Sequence, residues 1–163
     1  MSTLKVGTIQ DHTNSNTAIS IDSSGRVTTP ARPAFHTNAK PASVSNGATV
    51  IWTSTLFNIS SSYSTSTGKF TAPITGIYQF NVNLFFTSFN PAQIRIFKTP
   101  AGGSDETLAE QKAQGFAGSH HVLNDSRCIQ LNVGDAVRVH KDSGTLTTNT
   151  GKDFGSFSGF LIG

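Results

Sequence analysis

Cysteine, charge and long apolar runs are all scarce in this chain of 163 residues. The single cysteine, Cys128, excludes an internal disulfide, and no apolar run reaches the length that a membrane-spanning helix needs. No stretch has the regions of a secretory signal peptide. We therefore expect a protein that is made in a reducing cytoplasm, is not inserted in a membrane and is not an ordinary animal secreted factor.

Charged residues are few and dispersed along the chain. Lys, Arg, Asp and Glu make up 13% of the residues, and the 12 basic residues exceed the 9 acidic ones to give a net charge of +3. The basic residues stand singly, without the basic runs and interleaved aromatics that follow a nucleic-acid backbone. This pattern indicates scattered, solvated charges and no nucleic-acid partner.

Phenylalanine, serine and threonine are abundant, and together they favour strands. The chain has 12 Phe, and Ser and Thr make up about a quarter of it, which disfavours long solvated helices. Short alternating runs at 93–97 and 136–140 are separated by Gly, Asn and Pro clusters, which predicts an all-β sandwich. Residues 106–114 lack an apolar stripe at helical spacing, so we interpret them as a strand edge or loop turn.

Aromatic residues recur at fixed intervals between residues 52 and 80. The series is Trp52, Asn58, Tyr63, Phe70, Gly76, Tyr78 and Phe80, and Phe157 and Phe160 follow near the end of the chain. Strand side chains alternate between faces, so Tyr78, Phe80 and Val82 are expected to share one face of a long strand entered at Gly76. We interpret the aromatics as packing of the core and of a subunit interface rather than as a ligand-binding site.

The aromatic intervals resemble those of the jelly-roll head of the complement subcomponent q and tumour necrosis factor family. Residues 131–137 are similar to that family's Gly-Asp turn, and residues 157–162 are similar to its closing strand. Trp52 and Val82 depart from the usual Phe and aromatic of the family, but both suit a buried strand. The resemblance spans residues 33–163 and implies a jelly-roll β-sandwich that forms homotrimers.

Residues 1–32 lie outside this resemblance, and we expect them to form an extended β arm and linker. Residues 2–10 and 18–22 are strand candidates on either side of a polar turn at 11–16, and residues 29–33 predict a stiff linker. Because an isolated hairpin is marginal in water, the arm must pack on its symmetry mates or on another protein. The apolar positions expected to do so are Leu4, Val6, Ile9, Ile19, Ile21 and Val27.

The arm is similar to the N-termini of tail-fibre and other virion structural proteins of tailed phages, notably those of cyanobacteria and marine bacteria. Together the two resemblances imply a phage structural protein located in the virion. In one interpretation it decorates the capsid, with its arms docked on the major capsid protein or another virion protein. In the other it is a short tail fibre or spike whose head binds a host surface receptor.

The shortness of the region between arm and head favours decoration. A fibre that reaches a cell normally carries a shaft, and this sequence has no heptads, collagen triplets or repeats there. The fibre-like N-terminus favours a tail appendage instead. The number of copies in each virion would separate the two interpretations.

No catalytic motif is complete in this sequence. Residues 155–159 have the two glycines of a nucleophile elbow, but Phe157 occupies the position of the reacting hydroxyl. Residues 144–152 lack the glycine spacing of a phosphate loop. The dispersed acidic residues offer no carboxylate pair for glycan cleavage. We therefore expect no enzymatic activity and no cofactor.

The sequence also predicts no metal site. His120 and His121 are adjacent, so in a strand they would point to opposite faces and could not readily share one metal. A surface loop is the simpler interpretation, and stacking of histidines on a trimer axis is an alternative. Asp125, Asp135 and Asp142 lack the dense oxygen-ligand spacing of a calcium loop.

Overall fold

The computed structural model describes residues 4–38, 41, 44–86, 91–113, 121–146 and 155–163. The chain divides into two units, Met1–Arg32 and Pro33–Gly163. Thirteen strands form the regular secondary structure of the described ranges. In these same ranges no helix is long and apolar enough to cross a membrane.

The N-terminal unit is a small antiparallel sheet in the order β1-β2-β3. Its strands are β1 (Thr8–Gln10), β2 (Thr17–Ile21) and β3 (Val27–Thr28). At the first turn the Asp11 carboxylate accepts a bond from the backbone N–H of Asn14, and at the second Asp22 accepts from Ser24 and Arg26. Aspartate turns of this kind reverse the chain tightly. Strands lie at both strand candidates, and β3 adds a third.

The second unit, the head, is a jelly-roll sandwich of two antiparallel sheets. Its strands are β4 (Ala34–Asn38), β5 (Ala48–Thr49), β6 (Ser54–Ile59), β7 (Lys69–Thr71), β8 (Gly76–Phe86), β9 (Ala92–Thr99), β10 (Glu106–Ala113), β11 (His121–Leu131), β12 (Ala136–Ser143) and β13 (Gly155–Leu161). The front sheet has the order β11-β8-β13-β4-β6. The back sheet has the order β10-β9-β12-β5, and β7 also pairs with β12. The expected all-β jelly roll is confirmed.

Several local expectations are met within the head. The alternating runs at 93–97 and 136–140 lie in β9 and β12. The segment 106–113 forms β10 at the edge of the back sheet, which agrees with its interpretation as a strand edge. The long strand β8 begins at Gly76, as predicted.

The core between the sheets is an aromatic cluster. Phe35 stacks on Tyr63 and meets Phe157 edge-on, in both cases with ring centroids 4.9 Å apart. Phe70 meets Phe80 edge-on at 5.1 Å. Edge-to-face and offset pairs contribute attraction beyond the area they bury. The buried members of the predicted series are Trp52, Tyr63, Phe70, Tyr78, Phe80 and Phe157, and Val82 is buried beside them.

Asn58 and Tyr63 explain the polar position in the aromatic series. The Asn58 side-chain amide donates to the Tyr63 carbonyl oxygen at 2.8 Å and accepts from the Tyr63 backbone N–H at 3.0 Å. The Tyr63 hydroxyl in turn lies 3.2 Å from the backbone nitrogen of Trp52. These bonds hold the connection after β6 against the core, and we name them the polar clasp. The interval between Asn58 and Tyr63 therefore specifies hydrogen bonds as well as aromatic packing.

Gly76 and Gly134 each have a structural reason to be glycine. A Cβ on Gly76 would lie 2.6 Å from the Leu161 side chain and 3.0 Å from the Gly163 carbonyl oxygen. Gly134 has a φ of 86°, in the left-handed region that favours glycine. It positions Asp135, whose buried carboxylate accepts bonds from the backbone N–H groups of Asn132 and Ala101 at 3.0 Å each.

Candidate interaction surfaces

The outer face of the front sheet is the first candidate surface. Alternation along β8 buries Tyr78 and Phe80 and places Ile77, Gln79 and Asn81 on the outside. No Lys, Arg, Asp or Glu occupies an outward position of this sheet within the strand residues that the structure describes. An uncharged sheet face is unusual for a protein surface, where charged side chains are common.

One end of this outer face forms an apolar patch. Its members, Phe57, Ile59, Ile77, Phe160 and Ile162, each expose between 37% and 48% of their surface. The strand register brings them together, because Phe160 lies opposite Ala34, and Ala34 lies opposite Ile59. Phe160 was predicted for core or interface packing, and the structure places it outside the core, in this patch.

Next to the apolar patch lies an amide cluster, formed by Gln79, Asn81, Ser126 and Cys128. Gln79 donates to the Ser126 hydroxyl at 2.9 Å, and Ser126 donates to the Asn81 side-chain oxygen at 2.8 Å. The Cys128 thiol lies 2.9 Å from the Gln79 side-chain oxygen. The polar groups therefore bond to one another within the face, which lowers the cost of removing them from water.

The outer face of the back sheet carries a different arrangement, which we name the Phe97 cluster. The guanidinium groups of Arg95 and Arg138 lie 5.0 and 4.9 Å from the Phe97 ring centroid, and the His140 ring meets it edge-on at 5.3 Å. The two guanidinium contacts are cation–π interactions, and the His140 contact is an edge-to-face ring pair. Register places Arg138 opposite Phe97 and His140 opposite Arg95.

Two carboxylates neutralise the arginines of the Phe97 cluster. Arg138 donates two bonds of 2.6 Å to Asp105, and these bonds hold the pKa of the Asp105 carboxyl well below its usual range. Arg95 pairs with Asp142, and its hydrogen bond likewise lowers the pKa of Asp142. The back-sheet face is thus charged but locally balanced.

The structure pairs the three aspartates considered for calcium with basic side chains. The pairs are Asp125 with Arg127, Asp135 with Lys98 and Asp142 with Arg95. Within the described residues, no three His, Cys, Asp or Glu side chains come together in a group that could hold a metal ion. His121 is the first residue of β11, while His120 lies outside the described residues.

The motifs that resemble catalytic loops form no catalytic loop in the residues that the structure describes. Residues 155–159 belong to strand β13, with Phe157 buried in the core. Ser158 lies opposite Asn81 and His36 in the front sheet. Residues 147–152 of the second motif lie outside the described residues. The elbow-like glycines therefore serve strand packing.

The N-terminal unit brings four of its six predicted apolar residues onto one face. Ile9 lies opposite Ile19, and Ile21 lies opposite Val27. Ile19 and Ile21 are two residues apart on β2 and so share a face. Leu4 and Val6 precede β1 and are not part of this pairing, although both are exposed.

Neither the apolar patch nor the Phe97 cluster is evident as a unit from the sequence alone. Alternation around Gly76 places Ile77 outside, but only cross-strand register reveals that Ile59 and Phe160 lie near it. The Phe97 cluster had a usable signal, since the two alternating runs place Arg95 with Phe97 and Arg138 with His140 on outward positions.

Comparisons with known proteins agree with this architecture. A family model for the C1q domain matches residues 34–162. A complement C1q subcomponent of Mus musculus is 31% identical over 134 residues, which cover 80% of this chain and 52% of the relative. Caprin-2 of Danio rerio is 26% identical over 106 residues, which cover 64% of this chain and 11% of the relative. The chain thus spans about half or less of these relatives.

Solved structures share the fold at lower identity. The globular domain of zebrafish complement 1qA superposes with a TM-score of 0.63 at 22% identity, covering 81% of this chain and 98% of that one. Eiger TNF from S. frugiperda gives a TM-score of 0.66 at 17% identity, covering 81% and 94%. With the jelly-roll sheets and the match to most of the head, these comparisons show that the chain belongs to the C1q domain family.

Proposed function

We propose that the chain is a non-enzymatic phage virion structural protein that assembles as a homotrimer through its front sheets. The apolar patch is the observation that carries the assembly, since Phe57, Ile59, Ile77, Phe160 and Ile162 lie exposed on an uncharged face. Contiguous exposed apolar patches mark interaction sites. Domains of this family commonly self-associate as trimers, which supports closure around a three-fold axis.

The amide cluster suits the same interface. Burying an unpaired charged side chain between subunits costs about several kcal/mol, because the ion loses its hydration. Gln79, Asn81 and Ser126 are neutral and already bonded to one another. The front face therefore loses little on burial, whereas the back face with its Arg–Asp pairs is suited to water.

The N-terminal unit is proposed to act as the arm that docks on the particle, with the heads projecting outward. Its exposed apolar side chains support this role, which extends the resemblance to virion proteins inferred from the sequence of the arm. Three arms joined in one trimer bind with an avidity that exceeds a single arm by roughly two to four orders of magnitude. Decoration of the capsid, on the major capsid protein or another virion protein, is the function we favour.

A short tail fibre or spike is the second candidate function, and the Phe97 cluster favours it. If the front sheets face one another, the back sheets face away from the trimer. The cluster then turns outward the Arg95 side chain, which is 33% exposed and lies over the buried Phe97 ring. Purified heads should in that case block adsorption of the phage to its host, and failure at saturating trimer would count against this function.

Light scattering tests the trimer. The unmodified chain should have three times the 17.3 kDa mass of one chain at micromolar concentration. Phe160→Lys places a charge in the apolar patch and should give monomers, whereas Ser104→Lys in the exposed turn after β9 should remain trimeric. Circular dichroism establishes that both variants fold. A monomeric parent chain, or a Phe160→Lys trimer as stable as the Ser104→Lys control, would refute the proposed assembly.

Particle composition tests the virion role. Deleting residues 1–30 should release intact trimers from the particle, because the docking side chains are lost. Hundreds of copies in each virion would indicate the shell, and a few tens or fewer would indicate the tail. Particles that retain the truncated protein at full copy number would contradict docking through the arm.

A further inference from the structure

The sheet of the N-terminal unit is strongly two-faced. The residue pairs Ile9 with Ile19 and Ile21 with Val27 lie side by side on one face, which we name the isoleucine face. Ile9 and Val27 remain 47% and 63% exposed, while Ile19 and Ile21 are half-buried. Within the described residues 4–32, no side chain is fully buried. The isoleucine face therefore has the composition of a hydrophobic core, but no second layer buries it within the described residues of this unit.

The opposite face and the turns hold the polar groups of this unit. Thr8 lies opposite Ser20, and Ser20 lies opposite Thr28, which gives a row of hydroxyl groups. Asp22 and Arg26 pair with each other at 2.6 Å at the second turn. None of the strand residues that alternate onto the isoleucine face is charged. Two copies of this face therefore meet without repulsion between like charges.

We propose that the isoleucine faces of three copies pack against one another, so that the N-terminal units form a closed three-sided apolar core. This inference rests on the proposed homotrimer and deepens it. A small sheet with one apolar face is stable only when a second layer covers that face. A trimeric head supplies two further copies of the same face, each joined to its head through residues 29–33.

The tether favours copies of this chain over any other cover. Linkage through a short segment raises the effective concentration of the neighbouring faces to the millimolar range. A separate virion protein would have to reach each arm from solution and present a matching apolar surface. Packing between copies would use the isoleucine face alone. Leu4 and Val6 lie before β1 and remain available to contact the particle.

Cross-linking in the full chain tests this inference. Ile19→Cys places a thiol on the isoleucine face, and Ser20→Cys places one on the hydroxyl face of the same strand. A short bismaleimide reagent is added to the purified trimer, and mass spectrometry of the peptides separates these links from any made by Cys128. We expect Ile19→Cys to form covalent dimers about tenfold faster than Ser20→Cys, because the packed faces would hold the Ile19→Cys thiols close together while the Ser20→Cys thiols lie on the opposite side of the sheet.

Each outcome bears on one proposal. Faster linking at Ile19→Cys supports the packing, and Ile21→Cys repeats the test if the first variant is unstable. Equal rates at the two positions, no linking at either, or links to a virion protein in whole particles would overturn the inference while a trimer mass leaves the proposed assembly standing. A monomer mass for the parent chain would defeat the proposed assembly itself, and this inference with it.

Discussion

The head and the N-terminal unit use apolar residues in opposite ways. In the head, rings such as Phe35, Phe80 and Phe157 are almost completely enclosed between two sheets. In the N-terminal unit, Ile9 is as exposed as the members of the apolar patch and Val27 is more exposed than any of them. Both units satisfy their backbone through antiparallel pairing and aspartate turns. The difference lies in the second layer, which the head contains and the N-terminal unit must obtain from elsewhere.

This contrast separates two kinds of stability. The head can fold from its own sequence because its two sheets cover each other. The N-terminal unit depends on association, so its order should vary with assembly and concentration. Substitutions in the head should therefore change the free energy of unfolding, whereas substitutions in the N-terminal unit should mainly change what the protein binds.

The largest expected effect comes from emptying the aromatic core. Phe157 lies with its ring centroid 4.9 Å from that of Phe35 and 5.7 Å from that of Trp52. Phe157→Ala should lower the free energy of unfolding by about 3–5 kcal/mol, since it removes a buried ring and leaves a cavity. Urea denaturation at fixed protein concentration measures it. Leu4→Ala is the control in the N-terminal unit, because Leu4 is 83% exposed and lies outside the isoleucine face, and it should cost less than about 1 kcal/mol. Similar losses for the two variants would break the contrast.

The next largest effect concerns the buried Asp135, which joins two turns of the head. Besides two backbone N–H groups, the Lys98 ammonium lies 3.2 Å from its carboxylate. Asp135→Ala should cost about 2–3 kcal/mol, because these donors lose a charged acceptor. Urea denaturation at neutral pH measures the loss. Unchanged stability would show that water replaces the carboxylate without cost.

Asp135 also makes the stability of the head depend on pH. Burial raises the pKa of its carboxyl, but the backbone N–H groups of Asn132 and Ala101 and the Lys98 ammonium outweigh burial and lower it below the ordinary 3.8. Its stabilising contribution is therefore fully present above the ordinary value and is lost as pH falls through the lower folded value. In Asp135→Asn this part of the acid destabilisation should disappear.

The aromatic spacing predicted the head far better than its surfaces. Trp52, Tyr63 and Phe70 are core residues, and this is predictable because large aromatic side chains on the apolar face of a strand are usually buried. The apolar patch depends on which strands lie side by side, and Ile59 and Phe160, distant in sequence, come near each other only because both lie opposite Ala34 on β4. Local sequence specifies which face a side chain takes, but it does not specify its neighbours across the sheet.

The N-terminal unit shows the same limit. Its strand candidates and polar turn follow from alternation and from aspartate and asparagine residues. The separation of Leu4 and Val6 from the isoleucine face does not, because it depends on where pairing with β2 begins. What covers the face depends on a second molecule, about which a single sequence carries only indirect information.

A smaller effect is expected from the polar clasp within the core. Tyr63→Phe removes the hydroxyl that lies 3.2 Å from the Trp52 backbone nitrogen, and should cost about 1 kcal/mol. Burial raises the pKa of Tyr63 to about 12 from 10.0. Its neutral form is thus favoured in the folded head, and the parent chain should lose stability as pH rises from 10 towards 12. Tyr63→Phe should lose less over that range in urea denaturation; an identical alkaline slope would contradict the assignment.

The smallest effect is expected at the edge of the Phe97 cluster, where the Arg95 side chain reaches water. Arg95 keeps 33% of its side-chain surface exposed and Asp142 keeps 14%, so their pair is partly screened by solvent. Asp142→Asn should therefore change the free energy of unfolding by less than about 1 kcal/mol, and the change should shrink at high salt. Glu110→Gln is the matched control, since Glu110 lies opposite Arg95 on β10 but forms no ion pair with any residue that the structure describes. A salt-independent loss as large as that of Asp135→Ala would mean that the back face is structural, and would weaken its candidacy as a receptor surface.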